Sequence, residues 1–184
     1  MSRSKPLLAL LAFALSACAA APAAVSVAAR GDPHAAWWAE QSWRYPDAAA
    51  AEAAYQALAA RQSAWPEWHQ VHVAALPAGT RFQMALAPGQ GTDRPGAFAT
   101  FDRIPDVAWV RRVLAVKVAW KPAIDRVVTY EVVDPLPADT GTVGPQIDAD
   151  GPAYLPGGGS QLEMAVPAAE RARHLKVIEV RTIR

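Results

Sequence analysis

An α+β domain, built on a strongly bent, mainly antiparallel sheet with one or two small helices, is the fold class that three features of the sequence predict. Apolar and polar residues alternate over 126–133, 161–166 and 175–183, the two-residue period of strands. Two more short strands, 71–76 and 81–87, flank Pro77-Ala78-Gly79-Thr80, whose turn chemistry predicts a hairpin. Only one long stretch, the alanine-rich run from Asp47 to Gln62, reads as a confident helix. A chain of 184 residues can bury a real core in one domain and is short for two.

The N-terminus reads as a leader over residues 1–18: Arg3 and Lys5 precede a short apolar run, followed by Leu15-Ser16-Ala17-Cys18. That run is too short for an ordinary spanning helix. Leu-Ser-Ala-Cys resembles the lipobox of bacterial lipoproteins, which implies acylation at Cys18 and a membrane anchor of several acyl chains. Ala19 after the cysteine implies passage to the outer membrane; the alternative is a plain secreted protein cut near Ala21 or Ala29. Residues 19–33 then form a tether, and 34–184 a single domain. Without Arg3 and Lys5, the 18 basic residues become 16 against 17 acidic ones. So balanced a chain is not held to nucleic acid by phosphate contacts. Cys18 is the lone cysteine, so disulfides and thiolate metal sites are excluded from the folded part.

Trp37, Trp38 and Trp43 are expected to cap the core. In the helix, Asp47 is the cap, Glu52 and Arg61 complement the dipole, and Tyr55 and Leu58 dock one side onto a sheet. Trp65, before Pro66, is driven out of helical geometry, so the helix ends by then. His69 and His72 sit three apart on a strand-like segment, hence on opposite faces, and are not expected to bind a metal. A surface loop over 88–95, a short strand over 97–101 and a brief helix capped by Asp106 follow. Val116, Val118 and Trp120 alternate with Lys117 and Lys121 as in a strand. On the strand over 126–133, Val128, Tyr130 and Val132 share a face. Residues 135–159 read as a long loop, of the length that usually serves function. A helical turn is expected over 168–173, before the closing strand.

The candidate site lies where that loop ends. Gly157, Gly158 and Gly159 present no side chains, which suits a close approach of backbone and ligand. They lead into a strand that places Ser160, Leu162, Met164 and Val166 on one side and Gln161 and Glu163 on the other.

Three groups of residues carry a resemblance to a known family. Tyr130-Glu131-Val132-Val133-Asp134-Pro135-Leu136-Pro137, the Gly141 to Pro145 loop and Gly157-Gly158-Gly159-Ser160-Gln161 resemble the C-terminal half of the tuberculosis necrotizing toxin domain. Leu76-Pro77-Ala78-Gly79-Thr80 is similar to its opening Leu-Pro-x-Gly-Thr. The toxin-like region is thus 76–184, with the match itself running in outline to Val166. The resemblance implies an ADP-ribosyltransferase-like fold, NAD as substrate rather than cofactor, its hydrolysis to nicotinamide and ADP-ribose, and an immunity protein as partner. It puts the family's functional glutamine on Gln161, but Val128 stands where the family has histidine, and its arginine is met only if Arg81 serves. Gln161-Leu162-Glu163 also looks like the Gln-x-Glu signature of ADP-ribosylating enzymes, where the glutamate holds the nicotinamide ribose. On this reading Gln161 and Glu163 are catalytic, Arg81 pairs with the pyrophosphate, and Thr100 supports the site. Two alternatives remain: a protein ADP-ribosyltransferase, and a non-catalytic envelope lipoprotein that binds a protein partner.

Overall fold

The computed structural model describes residues 31–151 and 153–184; the leader, Cys18 and the tether as far as Arg30 lie outside the described residues. Three antiparallel sheets and four short helices make up the described chain. The first sheet has the order β1 (Val73–Leu76), β5 (Leu136–Thr142), β8 (Ser160–Met164), β3 (Phe98–Ala99). The second has β2 (Arg81–Leu86), β4 (Arg126–Val132), β9 (Leu175–Thr182), and β6 (Gln146–Asp148) pairs with β7 (Ala153–Leu155).

Strands β1 and β2 do not form the expected hairpin. β1 pairs with β5, and β2 pairs with β4. The register is nonetheless unbroken: Leu76 lies opposite Leu136 and Arg81 opposite Glu131, with Gly79 and Val132 bonded across the gap. Residues 73–86 and 126–139 are therefore one two-stranded ribbon that bends from the first sheet into the second. Pro77 to Thr80 form the corner, where Gly79 takes the positive φ of 87° that a side chain disfavours. The expected bent sheet thus appears as two sheets joined by a ribbon.

The bend lets both sheets bury one core. Phe82, Met84, Leu86, Val128, Tyr130 and Val132 of the second sheet meet Ala99, Leu136, Leu162 and Met164 of the first.

α2 (Ala48–Ala60) starts where Asp47 accepts from Ala50 N at 2.8 Å, and it buries Tyr55 and Leu58. It packs beside a helix that the sequence reading missed, α1 (Pro33–Gln41). The signal was there: Asp32 caps and Pro33 occupies the first turn. The helix also moves the end of the expected tether, because Pro33 already belongs to it. Trp37 is buried with Tyr55, Leu58 and Ile147, whereas Trp43 is exposed. α3 (Val107–Val113) is capped by Asp106, which accepts from Trp109 N at 2.7 Å, and α4 (Ala168–Arg171) is a single turn.

One loop and one strand assignment change. Residues 135–159 hold β5, β6 and β7 rather than one long loop. The alternating residues 116–121 form a turn, because their backbone groups find side chains instead of a neighbouring strand. Arg111 donates to the carbonyls of Val116, Lys117, Lys121 and Pro122, and Asp148 accepts from Val118 N.

The glycine run is fastened on both sides. Gly157 N donates to Arg112 O and Gly159 N to Val113 O, taking up carbonyls that the end of α3 leaves free. Gly158 N reaches Val143 O. Gly157 and Gly158 both have positive φ, but a Cβ on Gly157 would also lie 2.7 Å from Gly144 O, whereas one on Gly158 meets open space. Gly157→Ala is therefore expected to destabilise by more than ~1 kcal/mol and by clearly more than Gly158→Ala. Urea unfolding of the two variants checks this; equal losses would contradict it.

Candidate active site

Strand β8 begins in a tight polar anchor. Ser160 N donates to Asp102 Oδ2 at 2.7 Å, and Ser160 Oγ accepts from Phe101 N at 3.0 Å and lies 2.9 Å from Thr100 Oγ1. Thr100 is wholly buried there, behind the strand. The anchor fixes the frame of the next residues, since each alternate side chain must face the same way. Gln161 and Glu163 share a face, as expected, and both line one cavity of about 550 Å³. Their strand neighbours are Gly141 opposite Gln161, and Asp139 and Phe98 on either side of Glu163.

The remaining walls come from several separate segments. The 62–65 segment contributes Trp65, β2 contributes Gln83, the β3 region Phe98, α3 Val110, and the turn held by Arg111 contributes Trp120 and Lys121. Burial, followed by the nearby Arg111 charge, pushes the Lys121 ammonium below its ordinary pKa. Lys121 Nζ donates to Ala85 O at 2.8 Å. The walls offer aromatic faces and few polar groups, the usual make-up of a small-molecule site.

Two polar groups in this cavity stand out. Gln161 is only 4 % exposed, and its Nε2 has no hydrogen-bond partner among the described residues. A buried unmet donor costs about 1–3 kcal/mol, so a ligand acceptor beside it would be well received. Glu163 Oε2 accepts from the indole N–H of Trp65 at 2.9 Å.

Trp65 was missed by the sequence reading except as a helix stop. Its ring lies flat on His69, with centroids 3.9 Å apart and planes 7° apart. His69 Nε2 in turn lies 2.6 Å from Asp139 Oδ2, whose partner oxygen accepts from His72 N. Burial alone would raise the Asp139 pKa, but the hydrogen bonds from His69 and His72 outweigh it and hold the carboxyl below its usual range. The segment lies so close because Gly141 on β5 and Gly144 just beyond it carry no side chain. A Cβ on Gly141 would sit 2.9 Å from the His69 ring, and one on Gly144 2.7 Å from Pro66 N.

The other expected residues fall elsewhere. Arg81 is exposed on the second sheet and bonded to Glu131 at 2.7 Å, away from the cavity. Gly157, Gly158 and Gly159 brace α3 and do not line the cavity. Among the described residues, no group of three metal-binding side chains comes together.

No family model matches the chain, and no curated protein matches its sequence. The solved structure of Tne2 in complex with Tni2 is similar, at 28% identity and a TM-score of 0.55, over 65% of this chain and 98% of that one. Rhs1-CT in complex with its cognate immunity protein RhsI1 shares 18% identity at a TM-score of 0.43, over 61% of this chain and 80% of that one. Tse6 in complex with Tsi6 shares 16% at 0.43, over 80% and 94%.

A depressed carboxyl adds stability that is fully present above its unfolded pKa and is lost as pH falls through the folded one. Wild-type protein is therefore expected to lose stability between neutral pH and about pH 3 more steeply than Asp139→Asn. Urea unfolding at the two pH values checks it; parallel losses would contradict the assignment.

Proposed function

We propose that the protein is an NAD glycohydrolase, cleaving NAD to nicotinamide and ADP-ribose. The observation that carries this reading is the pairing, in one cavity wall, of a buried amide donor without a partner and a carboxylate fixed at one oxygen. Similarity to Tne2 at 28% identity supports the fold that the family resemblance implies, an ADP-ribosyltransferase-like one.

In the reaction, the bond from the ribose C1′ to the nicotinamide nitrogen breaks. Its electron pair neutralises the pyridinium, so the leaving group needs no proton. A water oxygen then bonds to C1′ and releases its proton to solvent. The transition state is oxocarbenium-like, and the protein's task is to hold the ribose and stabilise positive charge. Glu163 accepts from a ribose hydroxyl and faces the developing charge. Gln161 donates to the sugar or to the attacking water. The cation for the pyrophosphate is Lys121, which lines the cavity, in place of Arg81. Phe98 and Trp120 offer faces for the flat rings. The proposal extends to an immunity partner, supported by a neighbour solved with a second protein, and to an envelope protein anchored through Cys18.

One observation favours the non-catalytic reading. Val128, at the family's histidine position, is fully buried in the core between the sheets, so nothing at that position reaches the cavity. Incubation with NAD separates the readings. Wild type is expected to release nicotinamide, and Gln161→Ala and Glu163→Gln to lower kcat by about 100-fold or more while circular dichroism is unchanged. Absence of nicotinamide from the wild-type reaction would leave the binder; label transferred from NAD onto protein would indicate the transferase.

A further inference from the structure

Glu163 is one end of a continuous chain of side chains. Its Oε2 takes the Trp65 N–H, Trp65 lies flat on His69, and His69 is tied to Asp139. Asp139 sits directly opposite Glu163 on the neighbouring strand. Two like charges so placed repel one another. Here the oxygens of Asp139 are taken up by His69 and His72 N, while Glu163 is taken up by Trp65.

The backbone around Trp65 is held as firmly as its ring. Lys117 Nζ donates to Arg61 O at 2.9 Å, Gln146 Nε2 to Ser63 O at 2.7 Å, and Gly144 N to Ala64 O at 2.8 Å. A segment without helix or strand thus has three of its carbonyls satisfied from other parts of the chain. The ring cannot swing without breaking the stack, because Gly141 and Gly144 bring the sheet against it.

We propose that Trp65 is the positioning residue of this site, holding Glu163 in the rotamer that presents Oε1 to the ligand's ribose; this rests on the NAD reading above. A glutamate on a strand has several rotamers of similar energy, and freezing one in advance removes that ordering cost from the bound state. The donor is a neutral indole. It fixes the carboxylate without a formal cation that would offset its field at the sugar. His69 and Asp139 act one step further back, by orienting the indole.

Trp65→Phe keeps an aromatic ring at this position but removes the N–H. It is expected to lower kcat for nicotinamide release by about 10- to 100-fold with KM within about twofold, as losing an outer support of a reacting group does. A structural role alone would move stability or KM instead. A second measurement needs no activity. The indole N–H resonance of Trp65, identified by its loss in Trp65→Phe, is expected to shift in Glu163→Gln and in Asp139→Asn. A resonance that stays in place in Glu163→Gln overturns the inference, and so does Trp65→Phe with full kcat. If wild type releases no nicotinamide yet the resonance shifts, the NAD reading falls and the coupled unit stands.

Discussion

Two missing side chains decide where the cavity is. Gly141 and Gly144 leave bare backbone on and beside β5, and the 61–69 segment lies down in that space. With a Cβ at either position, His69 or Pro66 would have to move, and Trp65 with them. Close packing transmits such a shift directly, since interiors have no slack to absorb it. The wall facing Gln161 and Glu163 therefore depends on what the sheet lacks as much as on what it carries. The glycine-to-proline loop of the family resemblance thus has a physical role here: it seats the Trp65–His69 stack.

The rest of the fold holds that face still. The bent ribbon of residues 73–86 and 126–139 joins two sheets with a common core, and β8 is paired with β5 on one side and β3 on the other while its Leu162 and Met164 enter that core. Asp102, Thr100 and Ser160 fix its first residue. Arg111 clamps four carbonyls of the turn that supplies Trp120 and Lys121. Burial holds the guanidinium's pKa below the ordinary value, against the Asp148 charge, which acts to raise it. These contacts shape walls. Among the described polar groups that line the cavity, Gln161 Nε2 is left without a partner, and Glu163 is bonded through one oxygen to Trp65.

Local signals were legible in the sequence. Asp47 and Asp106 cap helices because a carboxylate ahead of a run of free N–H groups acts the same way in any fold. β4, β8 and β9 follow from alternation, and alternation also puts Gln161 and Glu163 on one face. Partner choice was not legible. Turn chemistry at Pro77 to Thr80 fits a hairpin and a corner equally, and only the long-range pairing of Leu76 with Leu136 decides. Alternation at Val116, Val118 and Trp120 misled because Arg111, not a strand, takes up the carbonyls of Val116, Lys117, Lys121 and Pro122 in this segment. Arg81 looked available, but its register partner is Glu131. Trp65 carried no periodic signal at all, for it sits in a segment whose geometry is set by Lys117, Gln146 and Gly144.

The central claim is that this cavity receives the nicotinamide ribose of a dinucleotide. A crystal structure with a non-hydrolysable NAD analogue tests it most directly. The account predicts a ribose hydroxyl on Glu163 and a ligand acceptor, or an ordered water, within hydrogen-bond distance of Gln161 Nε2, with Trp65 still stacked on His69. An analogue bound on another face, with Gln161 and Glu163 untouched, would contradict it.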